Sequence, residues 1–160
     1  MPIQVKYVGQ SLTSLVTEAT YQATRSAARR IAQTGQDIMF EEARAATPSR
    51  TGRTRASWLK HEIEHRDDRL EGRVTNDDPT AVYLQYGTES HAIKPEHGEA
   101  LRTPQGPRAD VHVSGIQPAH MTERAALVTE ATISERSVPA LETWKRECEE
   151  AIDLAKKRIR

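Results

Sequence analysis

Apolar residues recur every three or four positions from Leu12 to Ile38: Leu12, Leu15, Val16, Ala19, Ala23, Ala27, Ile31 and Ile38. That spacing places them on one stripe of an α-helix. Ser11 stands where an N-cap is wanted, Gly35 is a weak point, and Thr47-Pro48 ends the run, because a residue before proline is pushed out of helical backbone. A helix from about Ser11 to Ala46 is roughly 50 Å long at ~1.5 Å per residue. A rod of that length constrains everything else in a chain of 160 residues. Its stripe is rich in alanine, which suits close packing more than a thick core. Composition says the same: 36% hydrophobic, 29% charged, one Phe, two Trp and four Tyr. A core this thin gains from burying further surface against copies of the chain. The length fits one domain, residues 1–160.

The remaining segments change period. Ile3, Val5 and Tyr7 alternate with Gln4, Lys6 and Val8 and read as a short opening strand closed by Gly9. Leu59, His61, Ile63 and His65 alternate with Lys60, Glu62, Glu64 and Arg66, Asp67-Asp68 can turn the chain, and Leu70, Gly72 and Val74 alternate again. This is the pattern of a β-hairpin with one charged face. Asn76-Asp77-Asp78-Pro79 is a second turn, leading to a short helix that carries Tyr83 and Tyr86 and ends at Gly87. Residues 88–117 show no sustained periodicity and are expected to be a long loop, with Val111-His112-Val113 as a possible strand. Too few apolar residues occupy that loop to offset its ordering. It is therefore expected to order against a neighbouring copy, lending Val111–Val113 to that copy's sheet edge. From Gln117-Pro118 the pattern is helical again through Met121, Ala125, Leu127 and Val128. A final helix at about 137–158 carries Leu141, Trp144, Cys148, Ile152 and Ala155, with Lys156, Lys157, Arg158 and Arg160 at its end. The fold class is α+β: a long N-terminal helix and C-terminal helices packed on a small antiparallel sheet, with a long loop.

Several function classes find no footing. No stretch reaches the ~20 apolar residues of a membrane span, and no basic-then-apolar leader opens the sequence. The lone Cys148 cannot close a disulfide within the chain. The formal net charge is zero, which argues against wholesale nucleic-acid binding but allows a local basic patch.

His61-Glu62-Ile63-Glu64-His65 fits the H-E-x-x-H letters of zinc hydrolases. That chemistry needs a helix, where the two imidazoles stand one turn apart and the Glu acts as general base. On a strand they lie about 13 Å apart, at ~3.3 Å per residue, too far for ligand bonds of ~2.1 Å. The alternating neighbours favour the strand. His91, His97, His112 and His120 lack paired spacing, and Ser49, Ser57 and Cys148 lack a nucleophile elbow. No catalytic, cofactor or metal residue is therefore assigned. Arg50, Arg53 and Arg55 form a basic run in which no acid falls between Arg44 and Lys60. It suits subunit contacts or a phosphate-facing patch, and no aromatics interleave to stack bases. Gly52 fits a position with φ > 0, and Thr51 can cap the turn that follows. Tyr83 and Tyr86 share a helical face on which both rings would pack against the sheet.

Two of these stretches, taken together, carry a resemblance. Thr47-Pro48-Ser49-Arg50-Thr51-Gly52-Arg53-Thr54-Arg55-Ala56-Ser57-Trp58 and Ala81-Val82-Tyr83-Leu84-Gln85-Tyr86-Gly87-Thr88 resemble the neck or tail-completion proteins of long-tailed phages, the lambda minor tail protein Z-like group. The resemblance spans roughly residues 10–128. The chain departs from the family pattern at Tyr86, where an acidic residue is usual, and after Pro118, where an aromatic is usual. The resemblance implies a non-enzymatic connector protein of the virion, assembled in the host cytoplasm, without cofactor. It implies a homo-oligomeric, hexameric ring around the packaged DNA, between portal, adaptor or stopper proteins on the head side and a tail terminator or tail tube. Arg50, Arg53, Arg55, Tyr83 and Tyr86 are then candidates for the subunit interface or the channel wall. A zinc-dependent hydrolase and a DNA-binding accessory protein are the alternatives.

Overall fold

The computed structural model describes residues 12–48, 52–66, 69–95 and 100–157. The fold is α+β. Helix α1 (Leu12–Ala46) is followed by the turn-length α2 (Arg53–Ala56), strands β1 (Trp58–Lys60), β2 (Glu64–Arg66), β3 (Arg69–Glu71) and β4 (Val74–Asn76), and helix α3 (Thr80–Tyr86). Strands β5 (His91–Ile93), β6 (Leu101–Thr103), β7 (Gly106–Arg108) and β8 (Val111–Val113) precede α4 (Met121–Arg136) and α5 (Val138–Lys157). No helix among the described residues is long and apolar enough to cross a membrane. The expected opening strand, the Ser11 cap, the Thr51 cap and the Asp67-Asp68 turn lie outside the described residues.

The chain forms two compact units: Met1–Gly35 with Glu62–Gly72 and Ala131–Arg160, and Gln36–His61 with Arg73–Glu130. In the first, the alanine stripe of α1 works as the spacing implied. Ala23 and Ala27 are buried, as are Ala140 and Ala155 of α5. The indole Nε1 of Trp144 donates to Thr24 Oγ1 at 3.1 Å, and Arg30 Nη2 meets Glu147 Oε1 at 2.7 Å. Gly35 is a contact rather than a break: a Cβ there would stand 2.9 Å from Ile133 Cδ1. Between α4 and α5 only Ser137 intervenes, and its carbonyl accepts from the N–H groups of Ala140 and Leu141. Pro139, in the first turn of α5, has no N–H to leave unpaired.

The second unit has its core in Ala43, Trp58, Ala81, Met121 and Ala125, flanked by Met39, Phe40, Ala46, Val74, Leu84 and Ala119. Strand β1 pairs antiparallel with β4, Trp58 opposite Asn76 and Lys60 opposite Val74. Where this ladder ends, the buried amide of Gln36 donates to both His61 O (2.7 Å) and Arg73 O (2.9 Å). A side chain from α1 thus satisfies two carbonyls that strand pairing leaves over. On α4 the buried row is Met121, Ala125 and Thr129. Leu127 and Val128, read from the sequence as part of the apolar pattern, face outward because a row stepping by four leaves them on the other side.

The hairpin expected over 59–75 exists as two ladders of different register. In one, Leu59 lies opposite Thr75; in the other, β2 pairs with β3 with His65 opposite Leu70. Residues 61–63 separate the first strands and only 72–73 the second, an extra residue of the kind that makes a β-bulge. Periodicity alone cannot reveal such an insertion.

Where the sequence predicts a long loop over 88–117, the described residues pair as strands. Strands β5 and β8 pair with Ala92 opposite His112, β6 and β7 pair with Arg102 opposite Pro107, and Thr88 bridges Ile116. The segment is a two-stranded arm. Val111–Val113 takes its strand partner from its own chain, not from a neighbour's sheet. The arm is closed at its base by two glycines: a Cβ on Gly115 would stand 2.1 Å from Thr88 O, and one on Gly87, at φ 75°, 2.5 Å from Ile116 O.

Candidate functional site

The two motif stretches converge on one polar-lined corner of the second unit. Gly52, at φ 76°, starts α2 as the sequence required. The turn aims Thr54 inward, where its hydroxyl donates to Asp78 Oδ2 at 2.8 Å while Thr54 O accepts from Asn76 Nδ2. Asp78 Oδ1 accepts the Thr80 N–H at 2.9 Å at the start of α3, and Asn76 Oδ1 accepts the Asp78 N–H. The Thr80 N–H, then the Thr54 hydroxyl, hold the Asp78 carboxyl below its usual value, and the nearby Arg53 guanidinium adds to this. Asp78 is buried, yet each of these bonds favours its charged form.

Trp58 is fixed in the same way. Its indole Nε1 donates to Thr47 Oγ1 at 2.8 Å, and the Thr47 hydroxyl donates to Ala43 O at 2.6 Å. Arg55 folds back on the end of α1, Nε donating to Arg44 O at 2.9 Å and Nη2 to Ala45 O at 3.3 Å. These carbonyls have no partner inside the helix, and a cation there also complements the helix dipole. The Arg55 guanidinium is thus hydrogen-bonded within its own chain while its residue stays exposed at the surface. Arg53 points outward, its side chain 79% exposed and 3.8 Å from Asp78. Arg50 lies outside the described residues.

Helix α3 ends at Gly87 as expected, but its tyrosines are not packed on a sheet. Ala81 and Gln85 are buried and Leu84 is half-buried, whereas Tyr83 is 56% and Tyr86 71% exposed, with Val82 beside them. In a helix of only two turns, three inward residues fix the face, and both tyrosines fall on the other side. Gln85 was missed from the sequence because a buried amide does not read as apolar. Its Oε1 accepts the Thr122 N–H, its Nε2 bonds the Glu123 carboxylate, and the Leu84 and Gln85 carbonyls accept from Ala119 and His120. The Glu123 carboxyl is held low first by its own backbone N–H and then by the Gln85 amide. His120, at φ 46°, takes a left-handed turn to start α4. Between α3, β4 and α4 a groove of about 310 Å³ opens, lined by Trp58, Val74, Ala81, Val82, Tyr86 and Met121.

The histidine motif is not helical: residues 58–60 and 64–66 are strand and 61–63 irregular. His61 Nε2 is bonded to Thr75 Oγ1 at 2.8 Å. Among the described residues, no three His, Cys, Asp or Glu side chains are grouped to hold a metal ion. The motif side chains at this corner position elements relative to one another. What they leave outward is Arg53 and an apolar, hydroxyl-bearing face on α3. No protein-family model matches the chain, and neither a curated protein nor a solved structure is found to match it.

Proposed function

We propose that this chain is a structural, non-enzymatic component of a tailed-phage head–tail connector. Copies stand side by side in a hexameric ring around the DNA channel and join head-side portal, adaptor or stopper proteins to the tail terminator or tube. One observation supports this reading above the others: the described parts of both stretches that carry the resemblance fold onto a single core, and the polar groups of Thr47, Thr54, Trp58 and Gln85 are used inside the chain. Reactive chemistry would need such groups free and converging on a substrate. An assembly protein needs them to hold a surface, here the face of Val82, Tyr83 and Tyr86 beside Arg53 as a second outward contact. Exposed aromatics of this kind are favoured anchors at interfaces.

The test is complementation of a phage lacking this gene by Tyr83→Ser/Tyr86→Ser. The expected outcome is a protein folded as the parent by circular dichroism, with filled heads and finished tails accumulating unjoined in electron micrographs. Normal yields of joined particles, or absence of the chain from purified virions, would refute the proposal.

A further inference from the structure

Two surfaces of the second unit that its core does not use are complementary. The first is a groove of about 600 Å³ along the arm, with Ile93, Leu101, Thr103 and Val111 in its lining together with Arg102 and Arg108. Its size is within the ~300–1,000 Å³ of pockets that bury a small molecule, ample room for one leucine side chain. Both arginines are exposed, and neither has a carboxylate partner among the described residues. The groove is therefore aliphatic and cationic together, and suits a partner that is aliphatic and anionic together.

The second surface offers such a pair, an exposed aliphatic side chain with a carboxylate one turn after it, and Arg124 one turn before. Helix α4 buries Met121, Ala125 and Thr129, yet carries Ala126, Leu127 and Val128 on its other side. Leu127 is 67% exposed. A solvent-facing helix ordinarily keeps that side polar, so a helix apolar on two sides and covered on one has a face left to fill. Glu130, three residues after Leu127, stands on the same ridge and is exposed.

We propose that the arm of one copy receives the α4 ridge of a second copy, Leu127 entering the groove and the Glu130 carboxylate pairing with Arg102 and Arg108. Groove and ridge are different patches, so the contact is head-to-tail and every copy keeps one free groove and one free ridge. Repeated, it closes a ring or extends a filament. The inference stands on these two surfaces and does not require the connector reading.

Sedimentation of the purified chain tests it. Leu127→Asp removes the ridge and Arg102→Glu/Arg108→Glu the groove, both at exposed sites, with folding checked by circular dichroism. Each variant alone should self-associate at least about tenfold more weakly than the parent. Mixed together, the two should form dimers and nothing larger, since each retains the half that the other lacks. Combining Arg108→Glu with Glu130→Arg in one chain should restore much of the lost association. A parent that stays monomeric up to about 1 mM, self-association untouched by either variant, or a mixture that does not pair would overturn the proposal. So would a parent that, as a monomer, binds DNA through Arg102 and Arg108 instead. Such a failure leaves the connector reading standing, and absence of the chain from virions leaves this contact standing.

Discussion

Replacing Thr47 by valine isolates the bond that ties the end of α1 to strand β1. Valine has nearly the same shape, so the change deletes an oxygen and little else. Thr47 is 1% and Trp58 6% exposed, so water cannot replace the missing acceptor. Leaving the Trp58 indole N–H without a partner costs about 1–3 kcal/mol, and losing the bond to Ala43 O about 0.5–1.5 more. We expect a total of about 2–3 kcal/mol, seen as a fall in the urea midpoint at unchanged slope. In a chain of this size, about 2 kcal/mol lowers Tm by roughly 4–8 °C. Trp58→Phe is destabilising for a different reason, lost ring contacts, and leaves Thr47 still bonded to Ala43. In the double variant no donor is orphaned, so its loss should fall short of the sum by about 1–2 kcal/mol. Urea unfolding followed by circular dichroism on all four proteins closes the cycle. A neutral Thr47→Val, or strictly additive losses, would show that the hydrogen bond does not hold these elements together.

Gly115→Ala places a Cβ 2.1 Å from Thr88 O; the backbone must shift, at about 1–3 kcal/mol, and amides of 91–93 and 111–113 should lose hydrogen-exchange protection while those of 121–130 keep theirs. Protection unchanged in the arm would mean that its base is not as tightly closed as described. The Asp78 and Glu123 carboxyls are both held below their unfolded values, so their stabilisation is complete above about pH 5 and is lost as pH falls through the unfolded and then the folded values. Asp78→Asn should lower stability at neutral pH and flatten the dependence of the urea midpoint on pH below about 4. An unchanged acid limb would refute that role.

The parts of the fold legible in the sequence are those where one period persists. Helix α1 is long enough for its alanine stripe to be unmistakable, and α5 carries Trp144, Cys148 and Ala155 on a regular row. Of the arm only Val111–Val113 is legible, because each of its strands has three residues and even the half-buried–exposed alternation of β6 and β8 is too short to accumulate. The corner between the motifs was half legible. Gly52 and Gly87 announced their turns, but Gln36, Thr47, Thr54, Asp78 and Gln85 are buried polar residues whose partners lie far along the chain. Only the folded geometry shows that their hydrogen bonds are met internally. The tyrosines mislead for a related reason: the inward place on α3 is held by an amide, Gln85, and not by an aromatic ring.

Thr88 and Ile116 exchange both of their backbone hydrogen bonds, at 2.9 and 3.0 Å. Within the second unit the chain therefore enters and leaves the arm across one backbone bridge. Arm length is then nearly independent of core stability: doubling a flexible loop closed at one point costs only about 0.6 kcal/mol. Reach and tip chemistry can change by insertion, deletion or exchange of the whole segment without the helices having to repack. The arm is a cassette, and the bridge at its base is the splice site.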